Sequence, residues 1–350
     1  MRTSVCKFSF LFLAGISLLL TSCDPDDEPE TPVGPAAGSQ SIAAITTTNA
    51  NYSILGEALG AAGLNSILEG GSFTVFAPSN DAFNRLFDDL ELTDANSDGS
   101  RVDELVGALG ADSLRDILLY HVLDGVTLAE NVPLKAYVKT LCLASSEDRA
   151  LDLLLESRSD RVLLNSGAYF GRAQFNTRAE VVAPNILATN GVVHGVNAVM
   201  LLPNVLDVTA NNSDFSGFAN LIAVGTATDT LVLADTLFTI FAPINAAFEL
   251  ANDSLLNAIQ IDQFAPGFNV VKQIALHHVH NEEALAENLD QLVYFTYNLD
   301  DLEITMSAES TTVLSSSGVI ATIIPSLTYI QATNGLVHGV TRVLFPVIAM

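Results

Sequence analysis

Phe73-Thr74-Val75-Phe76 sets aromatic and β-branched residues in alternation, which predicts a strand. Pro78 stops it, and Ser79 or Asn80 can cap a following helix with Phe83, Leu86 and Phe87 facing inward. The pattern returns 165 residues later as Phe238-Thr239-Ile240-Phe241, then Pro243, Asn245 and a helix with Phe248 and Leu250 inward. Helical spacing marks Ile54, Leu55, Ala58 and Leu59 before the first strand, and Phe215, Phe218, Leu221 and Ile222 before the second. Leu114, Ile117, Leu118 and His121 share one face of a predicted helix over Ser113–Val122, ending near Gly125. Asn190-Gly191 and Asn334-Gly335 are turn signals ahead of apolar strands predicted over Val192–Leu202 and Leu336–Phe345. Helices lead and strands close each half of the chain, so the expected class is α+β.

The two halves are copies. Phe73–Phe83 matches Phe238–Phe248 at eight of eleven positions, offset 165. Leu119-Tyr120-His121-Val122 answers Leu276-His277-His278-Val279 at offset 157. Ala188–Val196 matches Ala332–Val340 at eight of nine positions, offset 144. The order is kept and the offset shrinks, so the first copy is the longer. A period of about 150 residues means duplicated domains rather than solenoid units. The boundaries fall at 41–203 and 204–350.

Composition narrows the function. The chain has 350 residues, 49% apolar and 15% charged, enough to pack two cores. Forty acidic side chains against fourteen basic give a net charge of −26, which repels phosphate backbones and anionic headgroups and argues against nucleic-acid binding. Membrane attachment would need another device, and the N-terminus offers one. Arg2 and Lys7 precede an apolar run over residues 8–20, shorter than the ~20 residues of a membrane span and suited to a signal peptide. The run ends in Leu20-Thr21-Ser22-Cys23, which resembles a bacterial lipobox. Residues 1–22 therefore read as a lipoprotein signal and Cys23 as the lipidated residue. Residues 23–40 begin Asp24-Pro25-Asp26-Asp27-Glu28-Pro29-Glu30 and read as an acidic, Pro-rich tether. The expected location is the cell envelope, lipid-anchored to the outer membrane and surface-exposed.

The repeated blocks resemble the fasciclin (FAS1) family: the Phe-Thr-Val-Phe-Ala-Pro-x-Asn-x-Ala-Phe segment, the mid-domain Tyr-His, and the closing Asn-Gly-Val-Val-His strand. Three blocks, in order and twice over, cover about 41–350. The resemblance implies two tandem FAS1-like domains, each a β-sandwich or wedge flanked by helices. It also implies adhesion or matrix interaction without catalysis, with an extracellular protein, a polysaccharide or a neighbouring cell as partner. The family's Tyr-His motif falls on Tyr120 and His121, which with His278 become candidate binding residues; in the second copy His277 stands in the place of the Tyr. Asn190, His194, Asn334 and His338 belong to the closing motif as structural residues. Integrin-binding members use an Asp-Ile pair before that motif. Pro184-Asn185-Ile186 and Pro325-Ser326-Leu327, taken as the corresponding stretches, lack the Asp, so integrin binding is not carried over.

Candidate chemistry outside the resemblance is sparse. The six histidines read either as buried locks between helix and closing strand or, at His277-His278-x-His280, as a zinc site. Asp94-x-Asn96-x-Asp98-Gly99 matches the first half of a calcium loop, although Leu105 occupies the position of the bidentate Glu. It reads as a polar turn or as one weak Ca2+ site. No nucleophile elbow, phosphate loop or metalloprotease motif is present, and no catalytic residue is assigned. Arg149, Arg158, Arg161, Arg172 and Arg178 gather in the first domain, as ion pairs with Glu147, Asp148, Asp152, Glu156, Asp160 and Glu180 or as a local site for acidic polysaccharide. The alternative to adhesion is a periplasmic or envelope binding module for a small ligand or calcium.

Overall fold

A computed structural model describes residues 38–92, 100–144, 149–166, 178–231, 237–264, 269–281, 293–295, 301–306 and 311–347. Domain 1 opens with helices α1 (Ile42–Thr48), α2 (Ser53–Ala61) and α3 (Asn65–Glu69), then strand β1 (Phe73–Pro78). Helices α4 (Asn80–Asp89), α5 (Arg101–Leu109) and α6 (Ala111–Tyr120) follow. Strands β2 (Val122–Asp124), β3 (Ala136–Ala144), β4 (Arg149–Arg158), β5 (Arg161–Leu164), β6 (Ala179–Ala188) and β7 (Gly191–Val196) complete it. They form one sheet in the order β2-β1-β7-β6-β5-β4-β3. The first strand of the domain pairs in parallel with the last, Phe73 opposite Gly191 and Phe76 opposite His194.

β1 is buried on both faces, and its alternation sorts residues between two cores. Phe73, Val75 and Ala77 face the helices with Leu55, Leu59, Phe83, Phe87 and Leu118. Phe76 faces the other way, onto Tyr120, Leu151, Leu153, Leu155 and Val196. Each fully buried Phe is worth about 1.5–3 kcal/mol, so the short strand joins two apolar layers into one unit.

Domain 2 repeats this with α7 (Val205–Asn211), α8 (Ser216–Val224), α9 (Thr228–Leu231), β8 (Phe238–Pro243), α10 (Asn245–Phe264), α11 (Val270–Leu276) and β9 (Val279–His280). The later strands are β10 (Val293–Phe295), β11 (Asp301–Met306), β12 (Thr311–Ser315), β13 (Ile320–Thr322), β14 (Ile330–Ala332) and β15 (Gly335–Val340). They make two sheets, β14-β15-β8-β9 and β10-β11-β12-β13. β8 again pairs in parallel with the last strand, Phe238 opposite Gly335, and again divides its side chains. Phe238, Ile240 and Ala242 meet the helices, and Phe241 meets Val313, Ala321 and Leu344. Each domain is therefore α+β, as the sequence pattern predicts, with the helices against one side of its opening strand as the resemblance implies.

Several local expectations change. Ser79 supplies the cap, its hydroxyl accepting from Ala82 N at 3.2 Å. Asn80 instead binds α2, accepting from Ile54 N and donating to Ala50 O, and Asn245 does the same in domain 2 with Gly217 N and Ser213 O. That role explains why the Asn recurs while Ser79 is replaced by Ile244. Leu250, expected inward, is exposed; from Phe248 the helical repeat brings Ala251 to the core. The predicted helix over Ser113–Val122 ends at Tyr120, because Val122 pairs with Val75 as a strand. The closing strands stop at Val196 and Val340, well short of Leu202 and Phe345. Met200 and Leu344 stay buried beyond those points, but their amides bond to histidine rings.

The two domains meet along β4 and β14. The Asp152 carboxylate, 5% exposed, accepts the Gln331 amide at 2.7 Å through Oδ2 and binds Lys139 Nζ at 2.7 Å on the same oxygen. Tyr137 packs against the domain 2 core, and its hydroxyl accepts from Asn212 Nδ2 at 3.2 Å. Lys135 pairs with Asp214 at 2.8 Å, and Thr333 N donates to Pro203 O at 2.9 Å. Burial raises the Asp152 pKa, and Lys139 with the Gln331 amide opposes the rise. Asp152→Ala should cost about 2–3 kcal/mol, mainly for the orphaned Gln331 N–H, since Lys139 stays hydrated. Calorimetry should then resolve two transitions where the parent shows one. A single transition at an unchanged temperature would show that Asp152 does not couple the domains.

Candidate functional site

The repeated polar residues assemble into two internal networks, one per domain, at equivalent places. At the end of α6, His121 Nδ1 lies 2.8 Å from Ile117 O and its Nε2 lies 3.0 Å from Met200 N. A carbonyl only accepts and an amide only donates. The ring is therefore neutral, with its proton on Nδ1 and its lone pair on Nε2. In domain 2, His278 reproduces both bonds, to Ile274 O at 2.8 Å and from Leu344 N at 2.9 Å. Each ring ties a helix to the segment after the closing strand, and each consumes an amide that the strand would otherwise use. Burial lowers His121 to about 4 and His278 to about 3.

Asn190 and Asn334 form the second repeated lock. Asn190 Oδ1 accepts from Ile42 N at 2.9 Å and its Nδ2 donates to Leu68 O at 2.7 Å. Asn334 Oδ1 accepts from Val205 N at 2.9 Å and its Nδ2 donates to Leu231 O at 3.1 Å. One amide side chain thus holds the start of the first helix and the end of a later one against the closing turn. The glycine after each Asn has a positive φ and lies against the neighbouring strand's backbone.

His194 and His338 sit on those strands, stacked at 5.6 and 5.7 Å on Phe76 and Phe241. His194 Nδ1 accepts from Asn185 N at 3.1 Å and Nε2 donates to Thr127 O at 2.9 Å. His338 Nδ1 accepts from Tyr329 N at 3.3 Å and lies 2.8 Å from Thr328 Oγ1. These bonds correct the earlier alignment of the stretch before the Asn-Gly turn. The counterpart of Asn185 is Tyr329 rather than Ser326: both have positive φ, 57° and 54°, and both donate to the histidine nine positions on. The pairings Ile186↔Val193 and Ile330↔Val337 give the same register. Neither site holds an Asp. Asn185 also accepts from Ala129 N and donates to Glu130; the backbone amide of Glu130 itself, and after it the Asn185 amide, keep that carboxyl below its usual range.

Tyr120 is fully buried, donates to Asp152 O at 3.0 Å and accepts from Asn165 Nδ2 at 3.1 Å. Burial pushes its phenol far above its usual pKa. Tyr120, His121 and His278, the candidate binding residues, are thus all enclosed and hydrogen-bonded within the protein. The sequence did not single out Asn165 and offered Asp152 only as an ion-pair partner for the gathered arginines; both complete the Tyr120 network and lie outside the repeated blocks. Cys142 is buried, and its thiol is pushed up to about 12, which leaves it unreactive at neutral pH.

Cys23, Asp94, Asn96 and Asp98 lie outside the described residues. Among the described residues, no group of three His, Cys, Asp or Glu side chains is placed to hold a metal, His277, His278 and His280 included. No described helix is long and apolar enough to cross a membrane. Of the gathered arginines, Arg158 pairs with Glu156 at 2.7 Å and Arg161 with Glu180 at 3.5 Å, whereas Asp152 takes Lys139 instead.

The fasciclin domain model matches residues 50–203 and 213–346. Periostin of Homo sapiens is 26% identical over 321 residues, 90% of this chain and 32% of periostin. Transforming growth factor-beta-induced protein ig-h3 of Sus scrofa is 27% identical over 215 residues, 60% of this chain and 27% of that protein. Protein sll1483 of Synechocystis sp. is 30% identical over 166 residues, 47% of this chain and 75% of that protein. The chain thus spans about a third of periostin's length and about a quarter of ig-h3's. A solved FAS1 domain pair from the insect cell adhesion molecule fasciclin I covers 86% of this chain and 98% of its own, at 17% identity and a TM-score of 0.45. Helices α1 and α7 begin before the matched segments, yet Ile42, Ile45, Val205 and Val208 pack into the two cores. With both matches falling on the two copies of the internal repeat, the chain belongs to the fasciclin domain family and carries two such domains in tandem.

Proposed function

We propose that the protein is a non-catalytic interaction protein of the cell surface, anchored by lipid on Cys23, whose two fasciclin domains bind matrix protein, glycan or neighbouring cells. One observation carries this reading. The polar residues repeated between the domains are spent inside them: His121 and His278 on helix-to-strand bonds, Asn190 and Asn334 on helix starts. Such a pattern supports a display scaffold, in which recurring residues maintain the body and the variable exterior meets the partner. Family membership supports the same reading. The acidic tether after Cys23 would hold this strongly negative body off an anionic membrane.

Protease shaving of intact cells tests it. Loss of the protein from shaved cells, together with selective binding on a matrix-protein and glycan array, is the expected result. Survival through shaving would place the protein inside the envelope and sink the adhesion reading. Calcium-dependent heat in a titration of such a protected protein would then favour the envelope binding module.

A further inference from the structure

β4, β5 and β6 lie side by side, and their register builds a cationic face. Arg158 opposes Arg161, Glu156 opposes Leu163, and Leu163 opposes Glu180, so these side chains share one side of the sheet. Arg178, just before β6, lines the same cleft as Arg161, Leu163 and Glu180. The opposite side belongs to the core through Leu155, Val162, Leu164 and Ala179. The outward side holds a cleft of about 280 Å³ lined by Arg161, Leu163, Ser166, Arg178, Glu180 and Asn197 among others.

Charge sets this cleft apart from the rest of the chain. Glu180 lies 3.5 Å from Arg161, and Glu156 holds Arg158 at 2.7 Å as well as the Ser166 hydroxyl. Arg158, Arg161 and Arg178 gather here in a chain that has only 14 basic residues against 40 acidic ones. Residues 293–322, which supply the matching strands of domain 2, contain no Lys or Arg. The Arg161–Glu180 pair is long and more than half exposed on the arginine side, so a ligand carboxylate can exchange into it at little cost. A guanidinium has five N–H donors in a planar fork that matches a carboxylate.

We propose that this cleft binds a uronate residue of an acidic polysaccharide, its carboxylate on Arg161 and Arg178, its ring over Leu163, and its hydroxyls against Ser166 and Asn197. The volume sits just below the ~300–1,000 Å³ of small-molecule sites, which fits a sugar ring. A protein partner would need a flat patch of about 800 Å². The overall charge of −26 disfavours a densely charged strand such as nucleic acid. The proposal rests on the surface-interaction reading and names a ligand class for it.

Binding of the full chain, in mild detergent, to polygalacturonate, dextran sulfate and neutral dextran tests the cleft. Polygalacturonate should bind, and neutral dextran should not. The double substitution Arg161→Ala/Arg178→Ala should weaken polygalacturonate binding at least about tenfold with the melting temperature unchanged. Arg161→Gln, which removes the charge with less change of shape, should lose part of the affinity and serves if the double variant is unstable. Absence of polygalacturonate binding, binding that survives these substitutions, or binding of dextran sulfate alone would each overturn the uronate assignment. Shaving separates this from the broader reading: a shaved protein that ignores polygalacturonate sinks only the cleft, and a protected protein that binds it sinks only the surface location.

Discussion

Gly335→Ala should leave no stably folded protein at 37 °C, and Gly191→Ala should be nearly as damaging. A methyl group built on Gly335 would lie 1.9 Å from Phe238 O, and one on Gly191 would lie 2.0 Å from Phe73 O. Both contacts are with the backbone of a central strand, so no side chain can rotate away. Both residues also hold φ values, +140° and +148°, that L-residues rarely adopt. The obstructed atoms lie where the first and last strands of each domain begin their parallel pairing. Relief would therefore require separating the strands that join the two cores. The loss should exceed about 4 kcal/mol, in the range reserved for a named structural failure. Gly318→Ala is the control. It has φ +85° but open space around the new methyl, so backbone strain alone should cost about 1–2 kcal/mol. Urea melts of the three variants check this. Equal, small losses at all three positions would show that the close backbone approach is not what requires glycine.

These glycines also mark what could be read from the sequence. The duplicated blocks fixed the domain count, the two opening strands and the closing turns, because each block has a local geometry that its own residues dictate. The histidine locks were legible for the same reason: a His in an apolar frame, repeated in step with its domain, points to a shared interior bond. Features that depend on distant partners were not legible. Asp152 meets Gln331 across 179 residues and the domain boundary, and nothing in either segment announces the other. Asn165 reaches Tyr120 from a strand end with no repeated counterpart in the blocks. The closing strands look longer in sequence than they are, because Met200 and Leu344 remain apolar and buried while their amides bond to histidine rings. The cleft arginines were visible as a cluster, but only the pairing of β5 with β6 brings Arg161 beside Glu180.

The histidine locks should make the protein lose stability between pH 6.5 and about 4. In the folded protein His121 titrates at about 4 and His278 at about 3, in both cases mainly because burial disfavours the charged ring. Burial likewise lowers the adjacent His277 to about 4. Unfolded, each would titrate near 6.5. Between those values the unfolded chain binds more protons than the native one, so stability falls as the pH falls. The contribution is complete above 6.5, erodes below it, and is gone once the pH reaches the folded values. Each pH unit of separation corresponds to about 1.4 kcal/mol, so His121 and His278 together represent several kcal/mol, a large share of the ~5–15 kcal/mol of a typical domain. Carboxylates act elsewhere. Glu130 and Glu156, both held below their usual range, lose their contribution only at lower pH, and Asp152, raised by burial, works in the opposite direction. The window from 6.5 down to 5 therefore belongs to the histidines. His121→Gln and His278→Gln keep a donor and an acceptor but cannot titrate there. Each should lower stability at pH 7.5 by about 1–3 kcal/mol through imperfect geometry, and the double variant should show a flatter dependence of urea midpoint on pH. A double variant whose midpoint falls between pH 6.5 and 5 as steeply as the parent's would place the acid sensitivity in other groups.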